Sequence, residues 1–252
     1  MSSSAKLSSD DSTATVPGWC GWLSAELPAR QPDLRSQASE FAGRTSDLLN
    51  RTVANGIRVV AVLQEDGQIG WAGYGISKER PSPGRGIPLT VSAAPPRCFL
   101  HVMHTLIQAY GVLITDQSSF GLYLDQDLGS CVFHYDYTRY PGNPYPATHV
   151  QVDATSTVFD ELCSRLDRDA ELARLHFPVG GRRFRPCLED VVEMLIVEGL
   201  AVGRDGWEQA IEEHRTWFRR IQLKAAVRDD PEAVREELER LKGLERQEKR
   251  RR

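Results

Sequence analysis

Apolar side chains recur at three- and four-residue steps from Asp33 to Ala54 (Leu34, Ala38, Phe41, Ala42, Leu48, Leu49, Val53), the period of an amphipathic helix, and Asn55 and Gly56 supply its stop. The pattern then changes from a period to runs. Ile57 to Leu63 is apolar and β-branched, Glu65, Asp66 and Gly67 make a turn, and Gln68 to Tyr74 continues with aromatics, which predicts a β-hairpin. Lys78 to Pro96, with five prolines and two glycines, predicts an irregular loop. Cys98 to Thr115 fits both periods. Phe99, Val102, Met103, Leu106, Ile107 and Tyr110 could share a helical face, yet Gly111 would break a helix and Val112 to Thr115 is β-forming, so strands are favoured. Cys131 to Tyr137 and Thr148 to Asp153 read as further strands, joined by Thr138 to Ala147, whose three prolines forbid regular structure.

Beyond Asp153 the helical period returns. Thr157 with Asp160 resembles a capping box ahead of Phe159, Leu162, Cys163 and Leu166. Leu175 to Val179, Gly180 and Gly181, then Arg182 to Arg185 read as strand, turn and strand, and Pro186 sits at a favoured first helical position before Leu188, Val191, Val192, Leu195 and Ile196. Trp207, Ile211, His214, Phe218, Ile221 and Ala225 step by four and three along a long helix, and Asp230 and Pro231 restart a last one with Val234, Leu238 and Leu241 as a short seam. The first 17 residues are rich in Ser and Thr and poor in large apolar side chains, which predicts a disordered tail; Trp19 and Trp22 behind it would dock on the body. The expected organisation is a disordered tail over 1–17, an α+β domain over 18–203 in which an antiparallel sheet is packed by helices, and a helical extension over 204–252.

Composition narrows the function classes. A net charge of -4, from 31 Lys+Arg against 35 Asp+Glu, gives no global field for nucleic acid, so any such contact must be local. No apolar stretch approaches the roughly 20 residues of a membrane span. Five cysteines, none within four residues of another, give no zinc-knuckle spacing, and without an apolar N-terminal signal they suit reduced thiols in a cytoplasm. Cys131 and Cys163 sit in apolar patterns as core residues. No P-loop, dinucleotide fingerprint, nucleophile elbow or His-Glu-x-x-His motif is present, and no cofactor is expected.

Strand parity supplies the first candidate site. In Cys131 to Tyr137, Val132, His134 and Asp136 share one face while Cys131, Phe133, Tyr135 and Tyr137 share the other, which looks like core. In the next strand His149, Gln151 and Asp153 share a face. An antiparallel register matching Asp136 with His149 also matches His134 with Gln151, gathering four polar groups on one patch. The patch reads as a modest cross-strand pair, as an acid–base site with Asp136 fixing an imidazole tautomer, or as a two-histidine-one-carboxylate metal set of His134, Asp136 and His149. The second candidate is the basic run of Arg174, His176, Arg182, Arg183 and Arg185 around Gly180 and Gly181, ahead of a helix start. It is either a phosphate cradle or a charged hairpin paired with Glu189 and Asp190. His101 and His104, three apart, would oppose each other on a strand, and His214 reads as a satisfied core histidine. Asp125 and Asp127 read as a turn.

The residues His134 to Tyr137, Tyr145 to Val152 and Leu175 to Pro186 resemble an uncharacterised family of bacterial hypothetical proteins, which carries no established activity. The order of a His-Tyr-Asp strand, a Pro-and-His loop strand and a closing helix is also similar to the toxin-like component of some bacterial toxin–antitoxin modules, which implies a cognate protein partner and RNA-directed activity. The expected function is a cytoplasmic binding or interaction protein that contacts a phosphate-bearing ligand through Gln151, His176, Arg182, Arg183 and Arg185, and a protein partner through its C-terminal helices. The alternative is a metal-independent nuclease or phosphodiesterase. In it His134 and His149 exchange protons, Asp136 orients one of them, and Arg185 or Arg183 stabilises the developing phosphate charge.

Overall fold

The computed structural model describes residues 33–109, 111–181 and 183–251. The tail over 1–17, the Trp19 and Trp22 pair, Tyr110 and Arg182 lie outside the described residues. Among the described residues the chain forms an α+β fold of five α-helices and one eight-stranded antiparallel sheet.

Helix α1 (Leu34–Thr52) starts where the Asp33 carboxylate accepts from the Ser36 N–H at 2.8 Å. Its buried stripe of Leu34, Ala38, Ala42, Leu48 and Leu49 lies against the sheet, and its polar side chains tie the next strand in place. Asn50 exchanges two hydrogen bonds with the backbone of Ile57, and the Val59 N–H donates to Ser46 Oγ at 2.9 Å. The chain can therefore enter β1 (Val59–Leu63) without leaving buried backbone groups unpaired. β1 pairs with β2 (Ile69–Tyr74) as the expected hairpin. The Pro-rich loop that follows holds only a two-residue strand, β3 (Ile87–Pro88).

The ambiguous region resolves into β4 (Phe99–Ala109) and β5 (Val112–Tyr123), joined through Gly111 at φ 71°. β6 (Cys131–Thr138), β7 (Thr148–Val152) and β8 (Phe177–Pro178) extend the sheet in the order β1-β2-β4-β5-β6-β7-β8. A bulge at Asp116 in β5 is held by Arg139, whose backbone N–H donates to the Asp116 carbonyl and whose guanidinium donates to that of Thr115. Helix α2 (Thr157–Arg165) is capped by Ser156 rather than Thr157: the Ser156 hydroxyl accepts from the Phe159 N–H, and Thr157 is already helical.

The expected arginine hairpin does not form. Phe177–Pro178 is a two-residue strand, β8, that pairs with β7, and Arg183 and Phe184 lie in a turn. Gly180 makes that turn possible: its φ is 67°, and a Cβ there would fall 2.1 Å from the Phe184 carbonyl oxygen. Helix α3 (Leu188–Val197) begins two residues after Pro186, with Cys187 as its cap and the Asp190 carboxylate accepting from the Cys187 N–H. Helix α4 (Trp207–Asp229) buries Ala210, Ile211 and His214 against the body, so the extension expected from Arg204 begins as part of the core. Arg215, on the same helix, ties α4 to α3 by ion pairs with Asp190 and Glu193. No described residue of α5 (Pro231–Arg251) is buried. No described helix is long and apolar enough to cross a membrane.

The core lies between the sheet and helices α1, α3 and α4, around Leu49, Leu100, Leu106, Leu195 and Ile211. The helices cover one face. On the other face, positions of alternate parity form a groove.

Candidate functional site

The observed register matches the expected one: Asp136 pairs with His149 and His134 with Gln151. Because side chains alternate across a sheet, whole rows of the open face can be followed from strand to strand. One row runs His101, Gly121, His134, Gln151; the next runs Met103, Ser119, Asp136, His149. Gly121 leaves room in its row, since a Cβ there would lie 2.8 Å from the Tyr123 ring and 3.2 Å from His134 Cβ. Four of the six histidines of the chain, His101, His134, His149 and His176, thus gather around Asp136.

Hydrogen bonds set the imidazole tautomers. His149 Nδ1 lies 3.2 Å from the Pro146 carbonyl, which can only accept, so Nδ1 carries a proton, and Nε2 faces Asp136 Oδ2, 3.9 Å away. Gln151 donates its amide N–H to the Ala173 carbonyl at 3.3 Å, which turns its Oε1 toward His134 Nε2 at 3.0 Å. His134 therefore carries its proton on Nε2, which also lies 3.5 Å from Asp136 Oδ2. Its Nδ1 faces Cys131 Sγ at 3.6 Å, so the thiol is the donor.

That last contact corrects the reading of Cys131 as a core residue. A bulge at Val132 shifts the register so that Tyr123 pairs with Cys131, and the thiol moves from the helix side to the open face. Cys163, by contrast, is buried. His176, assigned from sequence to the basic run, joins the histidine cluster because β8 pairs with β7; its ring meets His149 edge-on at 4.6 Å and stacks on Tyr145 at 3.8 Å, 9° from parallel. Burial and the neighbouring His149 hold the His176 imidazole below its ordinary pKa. Asp136, Asn143, Tyr145, His149, Gln151 and His176 line the resulting cleft of about 420 Å³.

The remaining site candidates lie elsewhere. Arg185 is on the helix-covered face, with its guanidinium 4.1 Å above the Tyr137 ring and 5.9 Å from that of Phe218. The structure does not bring it to His134 and His149. Arg183 donates to Asp229, tying the loop to the end of α4, and Arg182 lies outside the described residues. The phosphate cradle is therefore not assembled by Arg183 and Arg185. Among the described residues no three His, Cys, Asp or Glu side chains are arranged to hold a metal ion, which leaves the set of His134, Asp136 and His149 without support as a metal centre. His214 is satisfied as expected, 3.0 Å from Asp47, and Asp125 closes its turn by accepting from the N–H groups of Gly129 and Ser130.

Sequence reasoning missed two members of the groove. The sequence offers His101 only as a partner of His104, because its place in the row of His134 depends on the strand order β4-β5-β6. Burial pushes its imidazole pKa down, and the charge of Asp136 partly opposes that shift. Tyr145 had no local signal, because it comes from the irregular loop before β7.

Comparison with family models, curated proteins and solved structures found no match to this chain.

Proposed function

We propose that the protein binds a nucleobase-bearing ligand on the open face of its sheet, with the Tyr145–His176 pair as stacking platform and Asp136, Asn143 and Gln151 as hydrogen-bonding groups. The observation that carries this reading is a stacked aromatic platform standing beside polar side chains in a cleft whose described lining contains no arginine or lysine. Unstacked bases are held by aromatic or histidine rings and by hydrogen bonds to their edges. Binding of this kind neutralises few phosphates, so its salt dependence is shallow. A phosphate-bearing ligand at the arginine loop has less support, given where Arg183 and Arg185 lie. The protein-partner part of the reading is supported by Ile221, Leu223, Val227, Leu238 and Leu241, which are exposed on α4 and α5, while Trp207 and Phe218 pack on the body.

The test is a titration of the full chain with uridine and adenosine 5′-monophosphates and with a short single-stranded RNA, followed through the imidazole resonances. Tyr145→Ala, in an exposed loop, is expected to weaken binding by about 1–3 kcal/mol, roughly ten-fold or more. Unchanged affinity in this variant, or a steep loss of binding with salt, would overturn the reading.

A second reading, metal-independent cleavage of a phosphodiester in the same ligand, is favoured by one observation. His134 and His149 both bring Nε2 within 3.9 Å of one carboxylate oxygen, as a proton-exchanging pair would be placed. It proceeds without Arg185. His149→Ala should abolish cleavage of the RNA while the fold is retained, and binding without cleavage by the intact protein removes this reading alone.

A further inference from the structure

Asp136 supplies the one carboxylate in the described lining of the open-face cleft, and that lining holds no arginine or lysine. Its side chain is 35% exposed, and both of its imidazole contacts are made through Oδ2, at 3.5 Å to His134 Nε2 and 3.9 Å to His149 Nε2. An ionised carboxylate only accepts, at about four lone-pair sites on its two oxygens. Two imidazoles on one oxygen therefore leave acceptor capacity on both oxygens for a donor that enters the cleft. His149 links this carboxylate to the aromatic platform: its ring meets His176 edge-on at 4.6 Å, and His176 stacks on Tyr145. Platform and carboxylate are thus one imidazole apart. Asn143, from the loop that carries Tyr145, accepts from the Tyr145 N–H through Oδ1 at 3.1 Å, so Nδ2 is the end left to donate.

A planar ring on this platform is sorted by the donors along its edge. Guanine presents N1–H and N2–H side by side, with the O6 acceptor next to them, and two parallel N–H donors suit the two oxygens of a carboxylate. Adenine and cytosine set one amino group beside a ring nitrogen that only accepts, and uracil sets N3–H between two carbonyls. Each of these three brings a lone pair against a carboxylate oxygen. A negative group in place of a cation also takes the phosphate out of the recognition, since nothing in the described lining pairs with it.

We propose that the cleft selects guanine, with the Asp136 carboxylate accepting from N1–H and N2–H, Asn143 donating to O6, and the Tyr145–His176 pair stacking on the ring. The proposal rests on the reading of the open face as a nucleobase site and does not depend on cleavage of a phosphodiester. Guanine in a free nucleotide and guanine exposed in an RNA strand present the same edge.

The test is calorimetry on the full chain with guanosine, inosine, adenosine and uridine 5′-monophosphates, with guanosine itself, and with a short uridine strand carrying one central guanosine or adenosine. Guanosine monophosphate is expected to bind tighter than the other three monophosphates by about ten-fold or more, the scale of a bidentate contact to a base edge. Inosine differs from guanosine only by the missing N2 amine, so its weaker binding reads the second donor in the intact protein. Guanosine is expected to match its monophosphate. Asp136→Asn, which exchanges one acceptor for an N–H₂ donor, is expected to bring guanosine monophosphate down to the level of adenosine monophosphate, with the latter still bound and the unfolding midpoint retained. The strand with guanosine is expected to keep the preference over its adenosine counterpart; binding as tight as the monophosphate identifies RNA as the source, and weaker binding identifies the free nucleotide. Equal affinity for all four monophosphates, each weakened by Tyr145→Ala, would overturn guanine selection and leave the base-binding reading standing. Binding of none would overturn both. Inosine bound as tightly as guanosine monophosphate, or a guanine preference that survives Asp136→Asn, would overturn the assignment to Asp136.

Discussion

On the helix-covered face of the sheet Leu100, Val102, Leu106, Phe120 and Leu122 are buried to 4% exposure or less, whereas the alternate positions of the same strands, His101, Met103, Thr105, Gln117 and Ser119, are only half-buried or exposed. One backbone therefore carries a core and a candidate binding surface, separated only by parity. His101 and His104 make the comparison within a single strand. Burial lowers both pKa values, but His104 sits among aromatic rings with Arg185 as its charged neighbour, while His101 faces Asp136, whose charge opposes the shift. A histidine on the helix side is made neutral by burial beside a fixed positive charge, and one on the open side stays coupled to a carboxylate that can take part in chemistry.

The sharpest break in this comparison is a truncation on each face. Leu106→Ala, at a fully buried position, is expected to cost about 2–5 kcal/mol by urea unfolding, because the lost methyl groups leave a cavity that the packed helices cannot close. Gln117→Ala on the open face is expected to stay within about 0.5 kcal/mol. Equal losses would show that the open face is packed as a second core.

A smaller effect is expected from pH. In the unfolded chain His104 takes up a proton near its ordinary pKa of about 6.5, whereas in the fold it does so only near 3. The unfolded state therefore binds more protons between these values. Stability from this group is complete above about pH 6.5 and falls as the pH drops toward 3, by up to about 1.4 kcal/mol per pH unit. His104→Leu should remove that part of the slope between pH 6.5 and 5. An unchanged slope would mean that His104 is protonated in the fold.

The smallest effect tests the open face alone. Asp136→Asn removes the charge that opposes desolvation of His101, so the His101 pKa, read by imidazole NMR, should fall further while the unfolding midpoint scarcely moves. A rise, or no change, would separate His101 from the cluster.

Much of the architecture was legible because it depends on local periodicity. The stripe of α1, the hairpin of β1 and β2, the faces of α3 and α4 and the strand pair Cys131 to Thr138 with Thr148 to Val152 all follow from the spacing of apolar residues. Parity also gave the pairing of Asp136 with His149. Periodicity failed at Arg182 to Arg185, where alternating side chains suggested a strand but Gly180 turns the chain back on Phe184 and the arginines leave in different directions.

By itself the sequence determined the α+β class, the strand parity and the register that gathers His134, Asp136, His149 and Gln151, because these follow from interactions between chain neighbours and from burying one face. Only the tertiary structure decided that Arg185 lies over Tyr137 on the helix-covered face, that His101 and His176 join the groove, and that a one-residue bulge at Val132 turns Cys131 toward His134. Each of these depends on which strand lies beside which and on a single-residue shift in pairing. Residue types along the chain constrain such choices weakly, because a slip of one residue exchanges the two faces.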